Sequence, residues 1–142
     1  MREAVRNLRE RRAGAESGFT LIELLVVVVI IGILVAIAIP LYLNYRRGAE
    51  NRSAQSDVRN AITAIEQCYT DNSNVYPTSV SATSTPPATI VCNGVNTNVN
   101  FSQGNTFTYT AVAGPPASYT VSVKNNDTGK TYTYDSSTGV TS

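Results

Sequence analysis

The chain contains no histidine and no tryptophan, and only two of its 142 residues are cysteine. Lacking histidine, it lacks the commonest general base and the commonest metal ligand. No glycine-rich phosphate cradle occurs either. No catalytic constellation is recognisable, so a catalytic role is not expected and no catalytic residues, cofactor or metal are assigned. Two cysteines without histidine are too few for a structural zinc site. Cys68 and Cys92 suit one disulfide, if the chain reaches an oxidising compartment; two free thiols are the alternative. Such a bridge closes a loop of about twenty-five residues and stabilises by roughly 3–4 kcal/mol in the chain-entropy description. The formal net charge is +1, which does not call for nucleic acid as an obligatory partner. No internal repeat is present.

What the sequence does have is a strong lengthwise asymmetry. Residues 1–18 carry Arg2, Arg6, Arg9, Arg11 and Arg12 against Glu3, Glu10 and Glu16. An apolar run follows, "FTLIELLVVVVIIGILVAIAIP", from Phe19 to Pro40. From Leu24 to Ile39 it holds no charge. About twenty apolar residues can cross a bilayer as a helix. In lipid the backbone must satisfy its own hydrogen bonds, so even the β-branched "VVVVII" becomes helical. The arginines before the run fit cytoplasmic retention of the N-terminus, whereas Arg46, Arg47 and Arg52 after it weaken that bias.

Glu23 interrupts the apolar run near its start. A secretory signal peptide with a cleavage site at Ala36–Ala38, or a permanent membrane anchor, would account for the apolar length. Neither gives the acid a purpose. A buried helix of a soluble domain is excluded in practice, because the remaining residues could not enclose it. A tolerated acid near a helix end is the plainest alternative, less costly there than at the bilayer centre.

The stretch "GFTLIELLVVVVIIGILVAIAIP" resembles the class III signal of type IV pilins and the type II secretion pseudopilins. The motif comprises a basic leader, a Gly-Phe junction, an acid four residues later and an uninterrupted apolar run. The resemblance covers residues 17–47. It implies cleavage by prepilin peptidase between Gly18 and Phe19, N-methylation of Phe19, and an assembly role for Phe19 and Glu23. It also implies that Gly32 and Pro40 bracket a weak point of the helix. The implied partners are sister subunits in a helical filament, the peptidase, a membrane platform with its cytoplasmic ATPase, and the membrane before assembly. The implied location is the inner membrane, then an extracellular pilus. Two readings remain: a type IV pilin serving adhesion, motility or DNA uptake, and a pseudopilin forming a periplasmic piston. A membrane-anchored binding module that never polymerises is a third.

Expected organisation is a leader over 1–18, an apolar transmembrane or filament-core helix over 19–52, and a soluble head over 53–142. The fold class is α+β: a long N-terminal helix, apolar then amphipathic, packed on a small C-terminal antiparallel sheet. In the helix's second half Ala54, Val58, Ala61, Ile62, Ile65, Cys68 and Tyr69 recur at helical spacing and predict the packing face. Arg52, Gln55, Asp57 and Arg59 are expected to face solvent or subunit contacts. Asp71, Asn72, Asn74 and Pro77 end the helix. A loop-rich stretch to about Asn105 follows. Strands are expected at Thr106–Ala113, Ser118–Lys124 and Lys130–Ser136, with Tyr and Thr exposed on one sheet face. Asp127 in the turn "NNDTG" is a conceivable calcium ligand, as in related pseudopilins, but has too few companions for a cage. Tyr42 and Tyr45 beside Arg46 and Arg47 read as interfacial anchors, with nucleic acid left open. Asn51-Arg52-Ser53 and Asn126-Asp127-Thr128 are weak glycosylation sequons.

Overall fold

The computed structural model describes residues 18–142. The expected leader lies outside the described residues, apart from Gly18. One helix, α1, runs from Leu21 to Asp71. Contacts divide the chain into a compact unit up to Tyr42 and a second one from Leu43 to Ser142.

In the first unit every described residue is exposed. The "VVVVII" segment is helical despite its β-branched side chains, and α1 continues through Gly32 and Pro40. Helix propensity is a weak prior that context overrides.

In the second unit α1 becomes one-sided. Ala54, Val58, Ala61, Ile65 and Cys68 are buried, with Ile62 packed beside them. This is the stripe that the spacing of three and four predicts. Arg52, Gln55 and Arg59 are exposed, as expected. Just beyond the helix, Ser73 and Asn74 take positive φ of 55° and 62°, and the Asn74 amide donates to the Tyr69 carbonyl at 2.9 Å. Such left-handed residues satisfy carbonyls left over at a helix C-terminus.

Seven strands follow: β1 (Val80–Thr83), β2 (Ala88–Cys92), β3 (Val95–Val99), β4 (Asn105–Val112), β5 (Ser118–Asn125), β6 (Thr131–Asp135) and β7 (Val140–Thr141). Five form an antiparallel sheet in the order β1-β4-β5-β6-β7, and β2 pairs with β3 alone. The α+β architecture with an antiparallel C-terminal sheet is as expected, and β4, β5 and β6 fall on the three predicted strands.

Two expectations are corrected. The stretch before Asn105 is not loop alone, since it contains β1, β2 and β3. The β2–β3 hairpin turns at Asn93-Gly94, whose φ values are 50° and 78°. Asn-Gly between alternating residues is a strong short-range hairpin signal, and it was present to be read. The second correction concerns the sheet faces. Tyr109 and Tyr119 are fully buried beside Phe107, Val121 and Val123, while the alternate residues Thr108, Thr110, Thr120 and Ser122 point away from the core. Successive strand side chains face opposite ways, so in "TFTYT" and "YTVSV" tyrosine and threonine cannot share a face.

A disulfide joins Cys68, near the end of α1, to Cys92 at the hairpin turn. It staples a hairpin that lies outside the main sheet onto the helix.

Candidate assembly site

At the start of α1, Thr20 is the residue before the first helical turn. Its amide and its hydroxyl each donate to Glu23 Oε2 at 2.8 Å. In return the Glu23 amide donates to Thr20 Oγ1 at 3.3 Å. This reciprocal arrangement is a capping box, in which side chains at either end of the first turn satisfy donors that the helix cannot. The Thr-x-x-Glu spacing of Thr20 and Glu23 carried that signal, and sequence reading of the acid overlooked it. The carboxylate therefore has local partners within its own chain. Gly18 and Phe19 precede the cap, and the Phe19 side chain is 83% exposed.

From Leu21 to Leu43 the side chains are almost all aliphatic and none is covered. One helix among the described residues is long and apolar enough to cross a membrane. Water is a poor surrounding for so much contiguous apolar surface, so this stretch calls for lipid or protein around it.

The second unit positions other polar groups with care. Asp57 was expected at the surface, and this is corrected: it is 4% exposed. Its Oδ2 accepts from the Ser102 amide at 2.9 Å and from Asn105 Nδ2 at 2.6 Å. Ser102 Oγ donates to the other carboxylate oxygen at 3.1 Å. Asn125 Nδ2 donates to Asn105 Oδ1 at 3.0 Å, and Asn125 Oδ1 accepts from the amides of Asp127 and Thr128. Thr128 Oγ1 then donates to Asn51 Oδ1 at 2.6 Å. The chain of bonds ties the loop after β3 and the β5–β6 turn to α1. A buried carboxylate with such donors is tolerated, whereas one without them is costly.

The head also holds an aromatic cluster. Tyr69 stacks on Tyr76 at 4.3 Å between ring centroids, and Tyr76 meets Tyr119 at 4.9 Å. Tyr119 also donates to Glu66 Oε1 at 2.7 Å. Burial raises the Tyr119 hydroxyl above its ordinary range, reinforced by the Glu66 carboxylate. Burial raises Tyr109 in the same direction.

At the first turns of the second unit, Arg46 Nε contacts Glu50 Oε1 at 2.7 Å, and its guanidinium reaches Asp127 Oδ2 at 3.9 Å. The Asp127 turn is thus occupied by an arginine contact. No grouping of three or more His, Cys, Asp or Glu suited to a metal ion occurs among the described residues.

The N-terminal arrangement has a known counterpart. Residues 14–39 match the model of the prokaryotic N-terminal methylation motif. The start of the chain thus carries a prokaryotic N-terminal methylation motif. Among named proteins, it is 52% identical over 56 residues to the type IV major fimbrial protein FimA of Dichelobacter nodosus, covering 39% of this chain and 36% of that one. It is 46% identical over 61 residues to a fimbrial protein of Pseudomonas aeruginosa, covering 43% of this chain and 40% of the other. A type II secretion system core protein G of Aeromonas hydrophila is 40% identical over 63 residues, covering 44% of this chain and 43% of that protein. The matched part spans less than half the length of these relatives. No solved structure matches the chain significantly.

Proposed function

We propose that the chain is a structural subunit of a type IV pilus, anchored in the inner membrane before assembly and extracellular after it. The observation that carries this reading is the uncovered apolar half of α1 with a single capped carboxylate at its start. Moving such a helix from lipid to a bundle of sister helices exchanges one apolar surrounding for another. Neither state is strongly favoured by the hydrophobic effect, so directional growth calls for an assembly platform and ATPase outside this chain.

In this reading prepilin peptidase cuts between Gly18 and Phe19, and Phe19 becomes N-methylated. Thr20 and Glu23 both stay on the mature side of the cut, so the capping box survives processing. While the subunit waits in the membrane, Thr20 keeps the Glu23 carboxylate hydrogen-bonded. In the filament, the basic Phe19 amine of an adjoining subunit gives that carboxylate a counter-charge. An aliphatic interface says little about axial register, and one charge pair can fix it, as single polar groups do in coiled coils. The segment from Gly32 to Pro40 is where α1 would open under packing stress, since Pro40 cannot donate to the Ala36 carbonyl. The role is structural and not enzymatic.

N-terminal sequencing of sheared surface fibres tests the reading: the mature subunit should begin at Phe19. Any other start overturns it. Glu23→Ala should leave cleavage largely intact and abolish assembly or methylation; normal methylated fibres from that variant would remove the charge pair. The similarity to core protein G favours one second reading, an envelope-confined pseudopilin. Oligomers that never leave the envelope would select it.

A further inference from the structure

We propose that Arg47 and Arg52 dock onto the phosphates of anionic phospholipids in the leaflet from which the head emerges, and that Glu50 and Asp127 withhold Arg46 from that contact. The proposal rests on the membrane-spanning reading above. Beyond the apolar run, Leu41 carries the apolar surface of α1 on to Leu43, and Arg46, Arg47 and Arg52 follow along the same helix. At 1.5 Å per residue, Arg47 lies about 6 Å and Arg52 about 13 Å beyond Leu43. Each headgroup layer is about 5–8 Å thick, so Arg47 falls within it. Arg52 lies just outside it, yet within about one Debye length, 8 Å, of the phosphates. Tyr42 and Tyr45, 65% and 77% exposed, sit at the boundary where amphipathic rings favour the interface.

The three arginines differ in what the head does with them. Arg46 is held by the Glu50 carboxylate and lies 3.9 Å from Asp127. Asp127 is placed there by its turn, whose amides Asn125 Oδ1 binds and whose Thr128 hydroxyl is anchored on Asn51. Among the described residues Arg47 and Arg52 have no ion-pair partner, and both are exposed. Their charge is available to a lipid phosphate, while Arg46, itself 58% exposed, already has two carboxylates beside it. Charge complementarity and continuity with the apolar helix therefore point to a membrane surface as the occupant.

The test is lipid selectivity of the full chain reconstituted in phosphatidylcholine vesicles, read with spin-labelled phosphatidylglycerol against spin-labelled phosphatidylcholine. The wild type should prefer phosphatidylglycerol. Each arginine near an anionic surface contributes up to about fivefold in association. Arg47→Gln should lower the preference about fivefold, Arg52→Gln by less, and Arg46→Gln by under twofold. The double variant Glu50→Gln/Asp127→Asn should raise it. Equal association of the two lipids with the wild type overturns the proposal. So does an Arg46→Gln effect as large as that of Arg47→Gln, or a duplex oligonucleotide that binds through the same arginines while the vesicles show no preference. Flotation with neutral vesicles separates the two levels. A wild type that fails to float sinks the membrane-spanning reading and this proposal with it; one that floats without lipid preference sinks this proposal alone.

Discussion

Two stretches of one helix obey different rules. Residues 21–43 of α1 expose every side chain, whereas between Ala54 and Cys68 one stripe is buried to within a few per cent of complete. The backbone is continuous across both. The apolar half is uniform around its circumference and has no preferred face. The later half alternates by helical turn and has one core face. Uniform apolarity suits a surrounding that is the same on every side, and one-sided apolarity suits a domain of the same chain. The difference teaches that helix formation decides little here, and that the distribution of apolar residues around the axis decides what each half is for.

The comparison can be broken by matched substitutions, followed in the full chain in detergent. Phe107 is fully buried, and Phe107→Ala should cost the head about 3–5 kcal/mol by leaving a cavity. Ile30→Ala, in the exposed half, should leave the head's unfolding midpoint unchanged. Equal losses from both would show that the apolar half has an internal partner after all. Next in size is the staple: Cys68→Ser should lower head stability by about 3.5 kcal/mol in urea unfolding, by the chain-entropy relation. Reducing the wild type should reproduce the loss.

Asp57→Ala should cost about 3 kcal/mol, because Ser102 and Asn105 lose their acceptor in a buried setting. Asp57→Asn should recover part of this, since its amide oxygen still accepts. An Asp57→Ala head as stable as wild type would make the network incidental. Alkaline pH probes the same buried core. Burial raises the hydroxyls of Tyr109 and Tyr119 above the ordinary value of 10.0. Their folded pKa thus exceeds the unfolded one, so the stability they contribute is complete below about pH 10 and is lost as pH climbs beyond it. Tyrosinate absorbance should show a late group of tyrosines ionising together with loss of the head's fold. Smooth ionisation of all tyrosines near pH 10 would contradict their burial.

Much of the fold was legible from local pattern. The stripe from Ala54 to Cys68 announces its partner side because each member lies a helical turn from the next. Two cysteines in a chain without histidine leave one natural pairing. The strands β4 to β6 show period-two alternation, and their boundaries agree to a residue or so. Asp57 was misread for a physical reason. A charged residue on a helix looks solvated unless its donors are known, and those donors arrive from Ser102 and Asn105, 45 and 48 residues later. β1 was missed because its partner is β4, a pairing that no local pattern reveals. The capping box at Thr20 and Glu23 was missed although its spacing stood in plain view.

By itself, then, the sequence determined an apolar rod with one acid at its start, and a small alternating domain stapled once. These depend on composition and period, which are local and read directly. Only the tertiary structure decided which carboxylate is buried and which arginine has two carboxylates beside it. Asp57 is buried because Ser102 and Asn105 arrive from far along the chain with donors for it, and Asp127 comes near Arg46 from a turn some eighty residues away.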